Sequence, residues 1–513
     1  MKTLLTLFGS SKNTQASLPK PSGRILNKSC STLVSSYHLL YGSTYLCKKV
    51  KYSKMSSRKM AVFYVLAVIQ ATLIFTISLI FIPLPEIAEE MNLQQADLLL
   101  ITASYGLPYS GLLLFGGRLT DKFESKNIFI IGLVIFALAS VAAAFSPNFE
   151  TLVTMRFMQG VGGSLIAPSA IGILRAVFIN QQEFSKVMAE WGTVSVLGAA
   201  IGPVFGGIII SWVSWRWLFL IPVLVSLSGI LFTKFRLGKI TTLNPKRNTL
   251  RLDLSGALLA TLGISIGSYG LIAVDAYSWN STLVIVSLIT GAVFLVAFFI
   301  IEQKVETPLL PTSFLRDSVR AIGLMSILLA AAASSLSMFL LSLFLQQIKG
   351  WTPMETAGGY VPFAVTLLVM NKFSVRLIEK WGALRITLMG FLMGALAFAL
   401  LTFIDYDSTF GWNLLPGYIL LPIGMSMIFA GSVVLSTVNV KQSQIGLAGG
   451  VMNTSMELGP TVGLAVFMSI AALKADVVSG YSLAFLSAGI AYAVTFLLIL
   501  FRIYKTRNKK QSN

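Results

Sequence analysis

Along this chain apolar residues run in blocks of roughly twenty, parted by short polar punctuation, a length that crosses a bilayer core as a helix. The blocks do not alternate apolar with polar, so they predict helices rather than the strands of a barrel. From Ala61 the pattern predicts spans at 61–82, 97–116, 127–145, 152–175, 188–212 and 215–233. After the basic linker KFRLGKITTLNPKRNTLRLD at 234–253, it predicts spans at 254–274, 282–301, 320–346, 356–373, 385–404, 413–434, 447–470 and 482–502. Fourteen spans make this an all-α polytopic membrane protein.

Composition agrees: 55% of residues are hydrophobic and 12% charged, where soluble domains carry about 25% charged residues. The net charge of +19 sits in loops and tails, which marks membrane topology and argues against a nucleic-acid partner. The linker and the 503–513 tail are basic, whereas PEIAEEMNLQQAD, SPNFE, VDAYSWNS and DYDSTFGWN contain no Lys or Arg. Below, these are the basic end and the acidic end. The positive-inside bias places the basic end and both termini in the cytoplasm. The plasma membrane is the expected location.

Residues 1–60 form a basic tail, with eleven Lys or Arg and no Asp or Glu before Met60. This composition fits a presequence for an organelle membrane, a cytoplasmic tail, or a stretch upstream of the true start. Cys30, Cys47 and His38 all lie there, so the hydrophobic body holds no thiol or imidazole and no metal site, cofactor or enzyme chemistry is expected of it. No nucleotide-binding glycine-rich segment is present and no loop exceeds about twenty residues, leaving no room for the soluble output domain of a receptor.

Several polar or glycine-rich motifs sit within the spans. VLGAAIGPVFGG in the fifth span sets Gly198, Gly202 and Gly206 on one helix face, with Pro203 and Gly207 beside them, a surface for close helix packing and a bend. GGRLTDKFESK follows the second span and is echoed by VRLIEKWGALR before the eleventh; duplicated halves are common in secondary transporters. Arg156, in TMRFMQGVGGSLIAPSA of the fourth span, carries a charge at membrane depth, with snorkelling to the interface as the alternative. Glu457 lies near the centre of the thirteenth span, where burial favours its neutral, proton-carrying form unless a cation answers it. The alternative is a hydrogen bond to Asn453 one turn away. Glu190, early in the fifth span, is a weaker coupling candidate. Gln70, Thr76 and Tyr105 can hydrogen-bond a substrate or serve as interhelical glue.

These motifs, over residues 61–502, resemble those of the fourteen-span drug/proton antiporters of the major facilitator superfamily. The fifth-span run is similar to the family's antiporter motif at every glycine and the proline. The 116–126 loop is similar to its cytoplasmic loop motif at Gly117, Leu119, Asp121, Lys122 and Lys126, but has Glu124 and Ser125 where the family has glycine and a basic residue. The fourth-span run matches at Arg156, Gln159, Gly160, Gly162, Gly163 and Pro168, and FLQQIKGWTP resembles the end of the ninth span, with Gln346 near its mouth. The resemblance implies two six-helix bundles, at 61–233 and 302–502, flanking two additional central spans at 254–301. It implies alternating access by a monomer, with protons driving small amphipathic compounds outward. Thr76 stands where such exporters commonly carry an acid, and this keeps open an uptake carrier or facilitator for a metabolite or a metal chelate such as a siderophore.

Overall fold

The computed structural model describes residues 57–237, 253–305, 308–438, 440 and 445–511, and among them every regular element is helical. The basic tail before Ser57 and most of the 234–253 linker lie outside the described residues.

The first bundle comprises α1 (Ser57–Ser78), the short α2 (Leu84–Met91), α3 (Gln95–Lys122), α4 (Ser125–Ala144), α5 (Phe149–Val177), α6 (Gln181–Ile210) and α7 (Leu220–Arg236). The additional pair is α8 (Leu254–Ile272) and α10 (Thr282–Glu302), joined through α9 (Val274–Tyr277). The second bundle begins after α11 (Thr312–Leu315) and comprises α12 (Ser318–Leu343), α13 (Pro353–Trp381), α14 (Ala383–Leu401), α15 (Leu415–Thr437), α16 (Ile445–Leu458), α17 (Leu464–Ala471) and α18 (Val477–Gln511). Helix α18 continues through most of the segment read as a tail. Thirteen helices among the described residues are long and apolar enough to cross a membrane. The expected fifth span corresponds to α6, whose shorter apolar stretch is Leu197–Ile210. The sequence-derived count is thus one above the thirteen, with the remaining span present as a 30-residue helix.

Side-chain caps mark several places where the chain re-enters a helix, satisfying amides that have no partner within it. Asn148 accepts from Thr151 N at 3.0 Å, and Asp317 from Val319 N and Arg320 N at 2.9 and 3.2 Å. Thr352 and Glu355 form a reciprocal capping box. Gly382, at φ 81°, turns α13 directly into α14 in a backbone conformation that disfavours side chains. Proline interrupts α3, α5, α6, α13 and α15, at Pro108, Pro168, Pro203, Pro362 and Pro422. Packed neighbours make such interruptions tolerable in spanning helices. Outward, α10 exposes Ile285, Val286, Ile289, Val293 and Val296, a surface suited to lipid.

The bundles meet at the acidic end. Ser342 Oγ donates to Phe81 O at 2.5 Å, and Gln346 Nε2, in the π-turn Phe344–Ile348, donates to Ile82 O at 3.0 Å. Around these bonds lies the largest apolar cluster, with Leu79, Ile80, Phe339 and Phe344 all buried. The same end carries a clasp. Trp215 Nε1 and Arg216 Nη1 donate to Glu90 Oε2 at 2.7 and 2.8 Å, while Arg216 Nη2 reaches Ser146 O at 3.4 Å. Burial alone would raise the Glu90 pKa, but the Trp215 and Arg216 hydrogen bonds outweigh it and hold the carboxyl below its ordinary value. A lowered folded-state pKa contributes stability that is complete above the ordinary glutamate value and is lost as pH falls through the lowered one. Glu90→Gln should therefore melt below wild type at neutral pH, with the gap closing on acidification; a constant gap would contradict the clasp.

Candidate substrate and proton site

Arg156 lies on the inner face of α5 and is 1% exposed, so it does not snorkel. Its Nε donates to Ile101 O of α3 at 3.0 Å and its Nη1 to Thr76 O at 3.5 Å. Thr76 belongs to the last turn of α1, where carbonyl oxygens attract a cation. The guanidinium stands 5.4 Å from the Tyr105 ring centroid and 5.9 Å from that of Phe219, and Nη2 has no hydrogen-bond partner. Arg156 thus pins three helices together through backbone oxygens and a ring face, with no carboxylate paired to it among the described residues.

Tyr105 sends its hydroxyl to Leu73 O at 3.3 Å, tying α3 to α1. One turn on, Tyr109 stacks obliquely on it at 5.6 Å between centroids, and Gln70 adjoins the Tyr109 hydroxyl while its own Oε1 stays without a partner. Gly163 of α5 makes room for both tyrosines, since a Cβ there would lie 3.1 Å from the Tyr105 hydroxyl and 3.1 Å from the Tyr109 ring.

Across the interface, Glu457 on α16 faces this pair. Its side chain is 4% exposed, and both Tyr105 and Tyr109 lie within its electrostatic reach. No hydrogen bond or ion pair reaches its carboxyl among the described residues, and half-buried Asn453 makes no bond to it. Immediately after it the helix widens into a π-turn, Gly459–Gly463, a distortion common at functional positions. Helix α3 accommodates the turn at Gly106, where a Cβ would collide with the Thr461 methyl.

The remaining candidates lie elsewhere. Gln159 is buried and donates to Ser140 Oγ at 2.8 Å, bridging α5 to α4 inside the first bundle. The Thr76 hydroxyl bonds back to Thr72 O at 2.7 Å, and Gln346 joins the bundles at the acidic end. Glu190 is exposed on α6. In the 116–126 loop, open space surrounds Gly117, Lys122 stands 5.7 Å from the Phe123 ring centroid, and the Asp121 side chain lies outside the described residues.

The fifth-span glycines divide into two roles. Gly198, Gly202 and Gly206 face α1 and the turn after it, where Cβ atoms would meet Ala71 O at 2.6 Å, Leu79 N at 3.1 Å and Leu79 O at 3.0 Å. Gly207 faces the other bundle, 2.6 Å from Pro353 O of α13 on the same measure. Sequence reading missed the counterpart of this motif: Gly459-Pro460-x-x-Gly463 repeats Gly202-Pro203-x-x-Gly206 and packs on Ala331 and Ala332 of α12. It also missed Tyr109, although the four-residue step from Tyr105 places both on one helix face.

A two-bundle body with a buried carboxyl of one bundle set near buried tyrosines of the other is the architecture of a secondary membrane carrier. Residues 65–464 match the family model of the Major Facilitator Superfamily. The chain belongs to that superfamily and is a multi-pass membrane transporter. It is 29% identical over 437 residues to the cephamycin export protein CmcT of Amycolatopsis lactamdurans, covering 83% of this chain and 88% of the relative. With the puromycin resistance protein pur8 of Streptomyces alboniger it shares 28% over 440 residues (82% and 85%), and with the methylenomycin A resistance protein of Bacillus subtilis (strain 168) 27% over 450 residues (86% and 94%).

The glycine contacts are directly testable. A Cβ at Gly202 would collide with the Ser78 hydroxyl and crowd the Leu79 amide nitrogen at 3.1 Å, whereas Gly358 has open space around it. Gly202→Ala should cost about 1–3 kcal/mol of stability and lower the melting temperature in detergent, while Gly358→Ala leaves it near wild type; equal effects would contradict the close α1–α6 contact.

Proposed function

We propose that the protein exports small amphipathic organic compounds in exchange for protons, by alternating access and as a monomer, with Glu457 as the proton carrier. The observation that carries this reading is the buried Glu457 carboxyl, within electrostatic reach of Tyr105 and Tyr109 of the other bundle, with neither a cation nor a hydrogen bond to answer it among the described residues. An ionised carboxylate in that position is costly, so this conformation holds the proton, and opening to water on one side allows its release.

The substrate region lies between the bundles near Gln70, Tyr105, Tyr109 and Asn453, with hydroxyl and amide groups for orientation and rings for apolar contact. Arg156 keeps α1, α3 and α5 in register around it. The bonds of Ser342 and Gln346 to the 81–82 backbone close the acidic end, which this reading places outside the cell. The basic end and both termini then face the cytoplasm of a plasma membrane. Relatives named for antibiotic export and resistance support organic substrates and outward transport. The membrane potential supplies about 2.3 kcal/mol per charge per 100 mV.

In proteoliposomes, substrate flux through the wild-type protein should rise with an imposed pH gradient, and Glu457→Gln should remove that dependence. Equal gradient dependence in both proteins would exclude Glu457 as the carrier, and none in either would favour a facilitator. Cells lacking the protein should accumulate its substrate; reduced uptake instead would reverse the direction of transport.

A further inference from the structure

The additional pair α8 and α10 packs closely, Gly291 meeting Gly267 and Gly263 backbone to backbone, and α8 rests on α3 where Gly111 meets Thr261. At the basic end of this pair two carboxyl side chains are almost completely buried: Asp253, the N-cap of α8, is 4% exposed and Glu302, the last residue of α10, is 3% exposed. Asp253 Oδ1 accepts from Ser255 Oγ at 2.9 Å and Gly256 N at 2.8 Å, but Oδ2 has no partner among the described residues. Glu302 accepts from Leu309 N on Oε1 at 3.1 Å and from Leu310 N on Oε2 at 2.9 Å. The two groups converge over Gly256, where a Cβ would touch Asp253 Oδ2 and stand 2.9 Å from Glu302 Oε1.

The strap that Glu302 holds continues the connection. Pro308 O accepts a hydrogen bond from Arg118 Nη2, within the loop motif that ends α3. Leu309 is buried beside Ala257 and Phe298, in a cluster against which Leu310 and Leu114 of α3 both pack. One carboxyl therefore anchors the strap joining the additional pair to the loop motif of the first bundle.

We propose that Glu302 is a proton-binding group whose proton, on Oε1, is donated to Asp253 Oδ2, and that its occupancy holds the 308–311 strap against Arg118. Two ionised carboxylates facing each other in a buried site repel strongly, and a proton converts the orphaned Oδ2 into half of a hydrogen bond. Among the described residues no cation is paired with either acid. Around the pair lie Ser255 from α8, the Leu309 and Leu310 amides from the strap and Arg118 from α3, whose guanidinium is bonded to Pro308 O; Lys304 is exposed, and neither acid has an ion-pair partner among the described residues. Metal binding would ask for more oxygens than this pair offers, and no cluster of three acidic, histidine or cysteine side chains occurs among the described residues. Loss of the proton sets the two carboxylates against each other, and the strap, whose Leu309 and Leu310 amides are bonded to Glu302, is the part that the repulsion loosens. The site is independent of Glu457.

Infrared difference spectra of the full-length protein in liposomes, acid against alkaline, test the proton directly. Wild type should show the carbonyl stretch of a buried protonated carboxyl that disappears in both Glu302→Gln and Asp253→Asn and persists in Glu457→Gln. Both variants are near-isosteric, and asparagine remains a good N-cap. A band unaffected by either variant overturns the site, as does one displaced by sodium or potassium at constant pH. A second measurement needs no variant: after correction for intrinsic rates, the Leu309 and Leu310 amides should exchange about tenfold faster once the proton leaves. Glu302→Gln should abolish that increase, and equal exchange on both sides of the transition would overturn the coupling to the strap.

Discussion

Hydrocarbon offers a backbone amide or carbonyl nothing to bond to, so each spanning segment must satisfy its own backbone, and among the described residues all do so as helices. Because lipid is as apolar as a leucine side chain, such helices gain little by hiding apolar surface from it, and they associate through close packing and occasional polar bonds. The glycines at 198, 202 and 206 on α6 and at 459 and 463 before α17 let backbones approach where any Cβ would collide. The first set packs against α1 and the turn after it and the second against α12, so the same glycine-proline pattern serves one close contact in each bundle.

Against that background, buried ionisable groups stand out. Arg156 is answered by backbone carbonyls and a tyrosine face rather than by an acid, a rigid arrangement that does not depend on any partner's protonation. Glu457 has nothing comparable and lies where the bundles meet. Asp253 and Glu302 face each other at the basic end, joined through a four-residue strap to the loop motif of the first bundle. A cation fixed within one bundle and a carboxyl where the bundles meet are the division of labour that the proposed alternating-access cycle needs.

Much of the fold was legible in the chain. Hydropathy placed the helices, and the exception, α6, has a shorter apolar stretch because polar residues occupy its basic-end half. Arg156 and Glu457 could be singled out because a charge at membrane depth is conspicuous in one dimension. Gln159 and Gln346 were equally conspicuous, yet one bridges α5 to α4 and the other joins the bundles, since an amide's role depends on which neighbour it finds.

What the sequence by itself determined is the helical, membrane-embedded body, its approximate span count and the depth of its few charges, because desolvation acts on each segment locally. Only the tertiary structure decided which of those charges are answered: that Arg156 turns inward to two carbonyls, that Tyr109 joins Tyr105 opposite Glu457, and that Asp253 meets Glu302 across Gly256. These are distances between segments tens to hundreds of residues apart, set by how closely glycine-lined backbones pack, and no local property of either segment encodes them.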